Sequence, residues 1–334
     1  MLTFVIGCRP EAIKVRPIIL EAVARKRAFR VIATGQHTDL LQGTGVEPDL
    51  HLHVPGTNEP EGYVEQARKA LESVPIVRND VVIVQGDTAS ALAGALWAAD
   101  RSLPLAHVEA GLRSFDLNDP WPEEGYRIRI DRLAAHRFCP TQGNLQNLQN
   151  ENLTGVVVGN TIVDALRLMK IARQEPGTQF VLVTLHRRES FGEPMRQIVA
   201  GLCEFAEANP DMAFIWPIHP NPEVKKAIPL STPPNLLLRP PMAYHGFVQF
   251  LAHAKAVLTD SGGVVEEACT LGVPTVIARN HTERPEALEH GTAVLIGTTT
   301  HGVRAGLQWA ISASCEPSQV FGDGYASQRI LDCL

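Results

Sequence analysis

"DVVIVQGDTASALAGALWAADRSLPLAHVEA", residues 80–110, decides the fold. Val81, Val82, Ile83 and Val84 are apolar without alternation, the signature of a strand buried on both faces. Residues 88–99 carry helical spacing, and "PLAHV" (104–108) is a second short apolar run. Strand, helix, strand in one unbroken stretch means two parallel strands joined by a crossover helix. The same alternation extends in both directions. Strands are expected at 2–6, 30–34, 80–85, 104–108, 137–141, 155–159, 180–184, 213–218, 235–239, 256–259, 275–278 and 293–297, with helical segments such as 11–29, 62–74, 142–150 and 194–208 between them. The pattern predicts a doubly wound α/β protein. Its two Rossmann-like halves divide near residues 160–180, where "DALRLMKIARQEPGTQF" reads as a helix closed by Pro176-Gly177. A cleft between the halves is expected, with ligands outside the carboxyl ends of the strands.

At 334 residues, the length fits two domains. A net charge of -6 argues against a nucleic-acid partner, which would need a basic field. The six cysteines are scattered without a C-x-x-C, so neither a zinc site nor a disulfide framework is expected, and no metal is. The start "MLTFVIGCRPEA" reads as strand and turn, not a signal peptide. No apolar run reaches membrane-spanning length, so no membrane partner is expected and the default location is cytoplasmic.

Polar residues just after strands are the ones to weigh. "VIGCRPEAIK" (5–14) places Arg9 and Lys14 at a strand end, favouring an anion over a plain solvated helix start. It is not G-x-G-x-x-G, so a nicotinamide or flavin cofactor is disfavoured. In "VVIVQGDTAS", Asp87 taken alone is better read as a helix cap, a role compatible with touching a ligand. "HVEAGLRS" (107–114) puts Glu109 past a strand. Its H-x-E is not a zinc deaminase site, because the P-C-x-x-C is missing. The prolines around Trp121 fix a rigid loop that presents Glu123 and Glu124 at a helix head, where one of the two serves the helix dipole. "LVTLHRRESFG" (182–192) offers His186, Arg187 and Arg188 to a diphosphate, with a solvated basic loop as the alternative. "AVLTDSGGVVEEACTLGVP" (256–274) is strand, Ser261-Gly262-Gly263, then helix, which lets backbone N–H groups approach phosphate oxygens. Glu267, further along, can take ribose hydroxyls. The plain alternative is a glycine-rich turn with Glu266 and Glu267 solvated. "IARNHTERPEALEHG" (277–291) adds another polar strand end with Arg279, Glu283 and Arg284. Unaided, these features describe a two-domain enzyme acting on a nucleotide-diphosphate compound by proton transfer.

The chain resembles the non-hydrolysing UDP-N-acetylglucosamine 2-epimerases. The resemblance rests on "GCRPEAIK", "GDTAS", "HVEAGLRS", "PWPEEGYR", "TLHRRESFG", "IHPNP", "TDSGGVVEEA", "TERPEAL" and "FGDGYASQRI", in order from residue 7 to about 330. It implies a GT-B-type fold like that of UDP-glycosyltransferases and phosphorylases: two Rossmann-like domains facing a central cleft. Residues 1–165 would carry the catalytic carboxylates, residues 166–319 would bind UDP, and a C-terminal helix, 320–334, would pack back on the first domain. It implies an isomerase that interconverts UDP-GlcNAc and UDP-ManNAc by eliminating UDP and adding it back, needing no cofactor and working as a homodimer. Carried over by position, Asp87, Glu109, Glu123 and His186 would be catalytic. Arg9, Lys14, Arg127, His219, Phe247, Ser261, Gly262, Gly263, Glu267 and Arg284 would bind the UDP-sugar. Which carboxylate serves which sugar face stays open.

The chain departs from the family pattern at Cys8, usually Thr, at Leu185, usually Gly, and at Met242, often Gln. The segment after Gln36-His37, where bacterial members bind a second, activating UDP-GlcNAc, is shorter here, so that site is not expected. Three rival readings stand beside the main one. They are an epimerase of a related UDP-2-acetamido sugar such as a diacetamido-uronic acid, a hydrolysing epimerase releasing ManNAc, and a UDP-sugar-binding protein without turnover.

Overall fold

The computed structural model describes residues 1–35, 43–55, 57, 59–77, 79–174 and 179–334. Two compact units emerge. One comprises Met1–Leu168 with Gly322–Leu334, the other Met169–Phe321.

The first unit holds a sheet of β1 (Leu2–Ile6), β2 (Phe29–Ala33), β3 (Leu50–His51), β4 (Val81–Gln85), β5 (Leu105–Val108), β6 (His136–Cys139) and β7 (Val156–Val157). Their order is β3-β2-β1-β4-β5-β6-β7, all parallel. The second unit holds β8 (Phe180–Thr184), β9 (Ala213–Pro217), β10 (Leu236–Arg239), β11 (Ala256–Thr259), β12 (Thr275–Ile277) and β13 (Ala293–Leu295). Their order is β10-β9-β8-β11-β12-β13, again all parallel.

Every apolar run expected to form a strand contains one. β3 was not expected, because "LH" is too short and too exposed at the sheet edge to show a pattern. The first helix runs Arg9–Ala24 rather than 11–29. It begins earlier because Glu11 folds back to cap Gly7 and Cys8, and it ends before Lys26, whose φ of 54° breaks the helix ahead of β2. The expected linker helix is shorter, Thr161–Leu168, and Pro176-Gly177 and Gln36-His37 lie outside the described residues.

Both sheets follow the order 3-2-1-4-5-6 counted from their own first strand, with β7 as an extra edge in the first unit. The order reverses between β1 and β4 and again between β8 and β11. These are the topological switch points where such folds bind ligands. The strands beside them are apolar and fully covered: Phe4, Val5 and Ile6 on β1, Val82, Ile83 and Val84 on β4, and Val181, Leu182 and Val183 on β8 are almost or wholly inaccessible. Helix Ala326–Cys333 belongs to the first unit, where buried Asp164 accepts the Ala326 and Ser327 N–H groups at 3.1 and 2.8 Å. Among the described residues no helix is long and apolar enough to cross a membrane.

Candidate active site

The first unit's switch point is built from ion pairs. β4 ends at Gln85, and Gly86 turns the chain with φ of 70°, a backbone conformation that favours glycine. Asp87 follows, half-buried, and accepts from Arg127, with Nε at 3.1 Å and Nη2 closer. Asp87 does not cap the next helix. That is done by Thr88, whose hydroxyl accepts the Ala91 N–H at 3.0 Å. One strand over, β5 delivers Glu109 with φ of 72°, in the left-handed region that a non-glycine residue occupies at a cost. Both Glu109 and Ala110 donate their N–H to the Phe138 carbonyl, which holds that turn. Glu109 Oε2 accepts from Lys14 Nζ at 2.5 Å and from Gln85 Nε2 at 2.6 Å. Lys14 thus meets a carboxylate directly, and Gln85 joins the site without having been singled out in the sequence. Its one signal was an amide ending an otherwise apolar strand.

Glu123 and Glu124 open the helix Glu123–Leu133 after the cis peptides Asp119-Pro120 and Trp121-Pro122. Their fates differ. Glu124 is buried and accepts the Ser114 and Phe115 N–H groups at 3.0 and 3.1 Å and Arg127 Nη1 at 3.0 Å, so it ties the loop to the helix. Glu123 is half-buried at the helix head. His107 is a core residue. Its Nδ1 lies 2.7 Å from Asp131 and its Nε2 2.9 Å from the Gly86 carbonyl, beneath the Asp87 turn. Asp131 also receives Arg113 at 2.8 Å.

Arg9 begins the first helix, half-buried. Beside it Glu11 takes the Gly7 and Cys8 N–H groups at 2.6 and 2.7 Å and the Thr88 hydroxyl. Burial pushes the Glu11 carboxyl up, those donors opposing it. Cys8 stands at the N-cap of this helix, and burial, followed by Glu11, pushes its thiol well above its ordinary value.

The second unit's switch point carries a glycine-rich helix start. Ser261 is the N-cap of helix Gly262–Leu271, and its hydroxyl makes no capping bond. The first-turn N–H groups keep the helix start's anion-binding character. A Cβ on Gly262 would sit 2.4 Å from Arg284 Nη1, so only glycine lets that guanidinium lie against the loop, while a Cβ on Gly263 would meet nothing within 4 Å. Arg284 is buried and donates to Glu266 at 2.8 Å and Glu283 at 3.1 Å. Glu266 and Glu267 are buried, not solvated, and Glu267 accepts the Tyr244 hydroxyl at 2.6 Å. Burial and then Glu267 push the Tyr244 phenol well up, so it stays a donor. Phe247 lies half-buried on the same helix as Tyr244, Tyr244–His253.

His186 follows β8 and stacks on His219, ring centroids 5.4 Å apart and planes 22° apart. Burial lowers both imidazoles from their ordinary 6.5. Arg187 is half-buried and Arg188 exposed. Leu185 turns into the hydrophobic core, so its departure from glycine is a packing matter. Among the described residues no three His, Cys, Asp or Glu side chains are grouped to hold a metal ion.

Comparison with known proteins points one way. The family model for UDP-N-acetylglucosamine 2-epimerase matches residues 21–334. The UDP-N-acetylglucosamine 2-epimerase of Yersinia pestis is 37% identical over 369 aligned positions, covering 99% of this chain and 97% of that protein. The crystal structure of the Neisseria meningitidis UDP-GlcNAc 2-epimerase bound to UDP-GlcNAc is similar with a TM-score of 0.90 at 32% identity, over 99% of this chain and 98% of that one. The Methanocaldococcus jannaschii enzyme in complex with UDP-GlcNAc and UDP gives 0.87 at 33%, over the same shares.

Proposed function

The chain belongs to the UDP-N-acetylglucosamine 2-epimerase family, and from that membership we propose that it interconverts UDP-GlcNAc and UDP-ManNAc without releasing free sugar. The second unit binds UDP: Ser261, Gly262 and Gly263 offer backbone donors to the diphosphate, Arg284 adds charge, and Glu267 takes the ribose. Met242 and Phe247 line the base. The first unit handles the sugar. The C1–O bond breaks as a cationic ring develops, and the electron pair leaves with UDP. One carboxylate takes the proton from C2, giving a 2-acetamidoglucal. A second carboxyl group, in its acid form, gives its proton to the other face of C2 while the UDP oxygen adds back to C1, so that the first group ends protonated and the second ionised. Inversion needs carriers on two faces, which Asp87, Glu109 and Glu123 supply. His186 hydrogen-bonds the departing diphosphate. Holding UDP in place favours recombination over loss.

The observation that carries this reading is the placement of Asp87 and Glu109 after the adjacent strands β4 and β5, each held by a cation, with Glu109 in a strained backbone. Proton NMR of the protein with UDP-GlcNAc in heavy water tests it. UDP-ManNAc deuterated at C2 is the expected product. Accumulation of free ManNAc and UDP would make the enzyme hydrolysing instead. Binding without exchange would leave a different UDP-2-acetamido sugar or a protein that only binds.

A further inference from the structure

A buried acid at the second switch point, Asp260, has no part in the reaction outlined above. Asp260 leaves β11, the neighbour of β8, and Thr259 stands opposite Thr184. The chain emerging at Asp260 therefore runs beside the chain emerging at His186. Asp260 is fully buried, and its Oδ2 accepts the N–H groups of His186 and Arg187, both at 2.8 Å. Its Oδ1 is buried without a hydrogen-bond partner and lies 3.4 Å from His186 Nδ1. That distance exceeds an N–H···O bond of about 2.7–3.2 Å. A buried carboxylate oxygen is nonetheless satisfied only by a donor, and Nδ1 is the ring nitrogen that approaches it. The ring is also fixed across its face. It stacks on His219, whose own Nδ1 is held by the Asn221 N–H at 3.2 Å.

We propose that Asp260 is a positioning residue that holds both the backbone and the ring of His186, with Nδ1–H toward its carboxylate, so that Nε2 is the nitrogen presented to the diphosphate. The tautomer of a histidine is set by the partner of its other nitrogen. The free-protein imidazole is kept neutral near physiological pH by burial, with Asp260 pulling the other way. When a diphosphate arrives, Nε2 takes up a proton from solvent, the same carboxylate stabilises the resulting imidazolium, and Nε2–H bonds the leaving oxygen until UDP has added back and the proton returns to solvent. This role rests on the proposed part of His186 in UDP departure, but the orientation does not.

The test uses the full chain labelled with 15N-histidine. Two-bond 1H–15N spectra are recorded above the His titration, at about pH 8, and the His186 signal is identified by its loss in His186→Gln. The expected wild-type pattern is a protonated Nδ1 and a bare Nε2. In Asp260→Asn an amide can donate to Nδ1, so the proton should move to Nε2. Turnover of UDP-GlcNAc should then fall in kcat by about tenfold or more, with KM nearly unchanged. A wild-type His186 protonated on Nε2, or a variant that keeps the wild-type tautomer, overturns the proposal. The wild-type spectrum decides even if Asp260→Asn fails to fold. A wild type that shows the Nδ1 tautomer but does not turn over UDP-GlcNAc would remove the proposed substrate and uphold the orientation.

Discussion

The two switch points share a topology and differ in which groups are held just after the strands. In the first unit, side chains of opposite sign meet at the carboxyl edge: Lys14 with Glu109, Arg127 with Asp87 and Glu124. In the second, a glycine-rich helix start lies against Arg284, itself paired with Glu266 and Glu283, and a buried carboxylate, Asp260, is bonded to N–H groups. One arrangement holds carboxylates in fixed orientations, and the other sets the first-turn N–H groups of a helix at the strand edge. A fold supplies the edge, and the residues placed on it supply the chemistry.

This division of labour can be broken by experiment. Asp87→Asn and Glu109→Gln should each lower turnover by about 10²–10⁴-fold while UDP affinity, measured by calorimetry, moves by less than about threefold. Loss of UDP binding in either variant would mean that the two edges do not divide binding from chemistry. Asp131→Asn probes what holds the first edge together. Asp131 is fully buried between His107 and Arg113, and removing its charge should cost about 3–5 kcal/mol in urea unfolding at neutral pH. Burial alone would raise this carboxyl, but His107 and Arg113 outweigh it and hold it below its ordinary 3.8. A depressed folded pKa gives stability that is present above the unfolded value and lost as pH falls through the folded one. The gap between wild type and variant should therefore narrow as pH drops below 3.8.

Gly262→Ala sharpens the other side. Its new Cβ must displace the Arg284 guanidinium, so UDP affinity should weaken by about tenfold while the circular dichroism of the chain is retained. Unchanged affinity would separate Arg284 from UDP. The smallest effect is expected for Tyr244→Phe. It removes one hydrogen bond to Glu267, about 1 kcal/mol or roughly fivefold in UDP affinity. The change should shrink with 2′-deoxy-UDP if Glu267 holds that hydroxyl.

Much of this was legible in residue order. Continuous apolar runs such as "VVIV" require strands covered on both faces, and the helical stretches between them require parallel connections, so the doubly wound fold follows from local pattern and elementary burial. The glycines and charged residues after those runs marked both edges. Some local readings misplaced a role: Thr88, not Asp87, caps its helix, because the turn at Gly86 swings Asp87 toward Arg127. Other pairings cannot be read from the order of residues. Gln85 with Glu109 spans 24 residues, Tyr244 with Glu267 spans 23, and His186 with Asp260 spans 74. By itself, then, the sequence determined the fold class, the strand ends and the kinds of residue offered there, since periodicity and turn chemistry act over a few neighbouring residues. Only the tertiary structure decided which charge meets which, because those partners lie on, or just after, different strands and helices that become neighbours only when distant segments pair in register and pack.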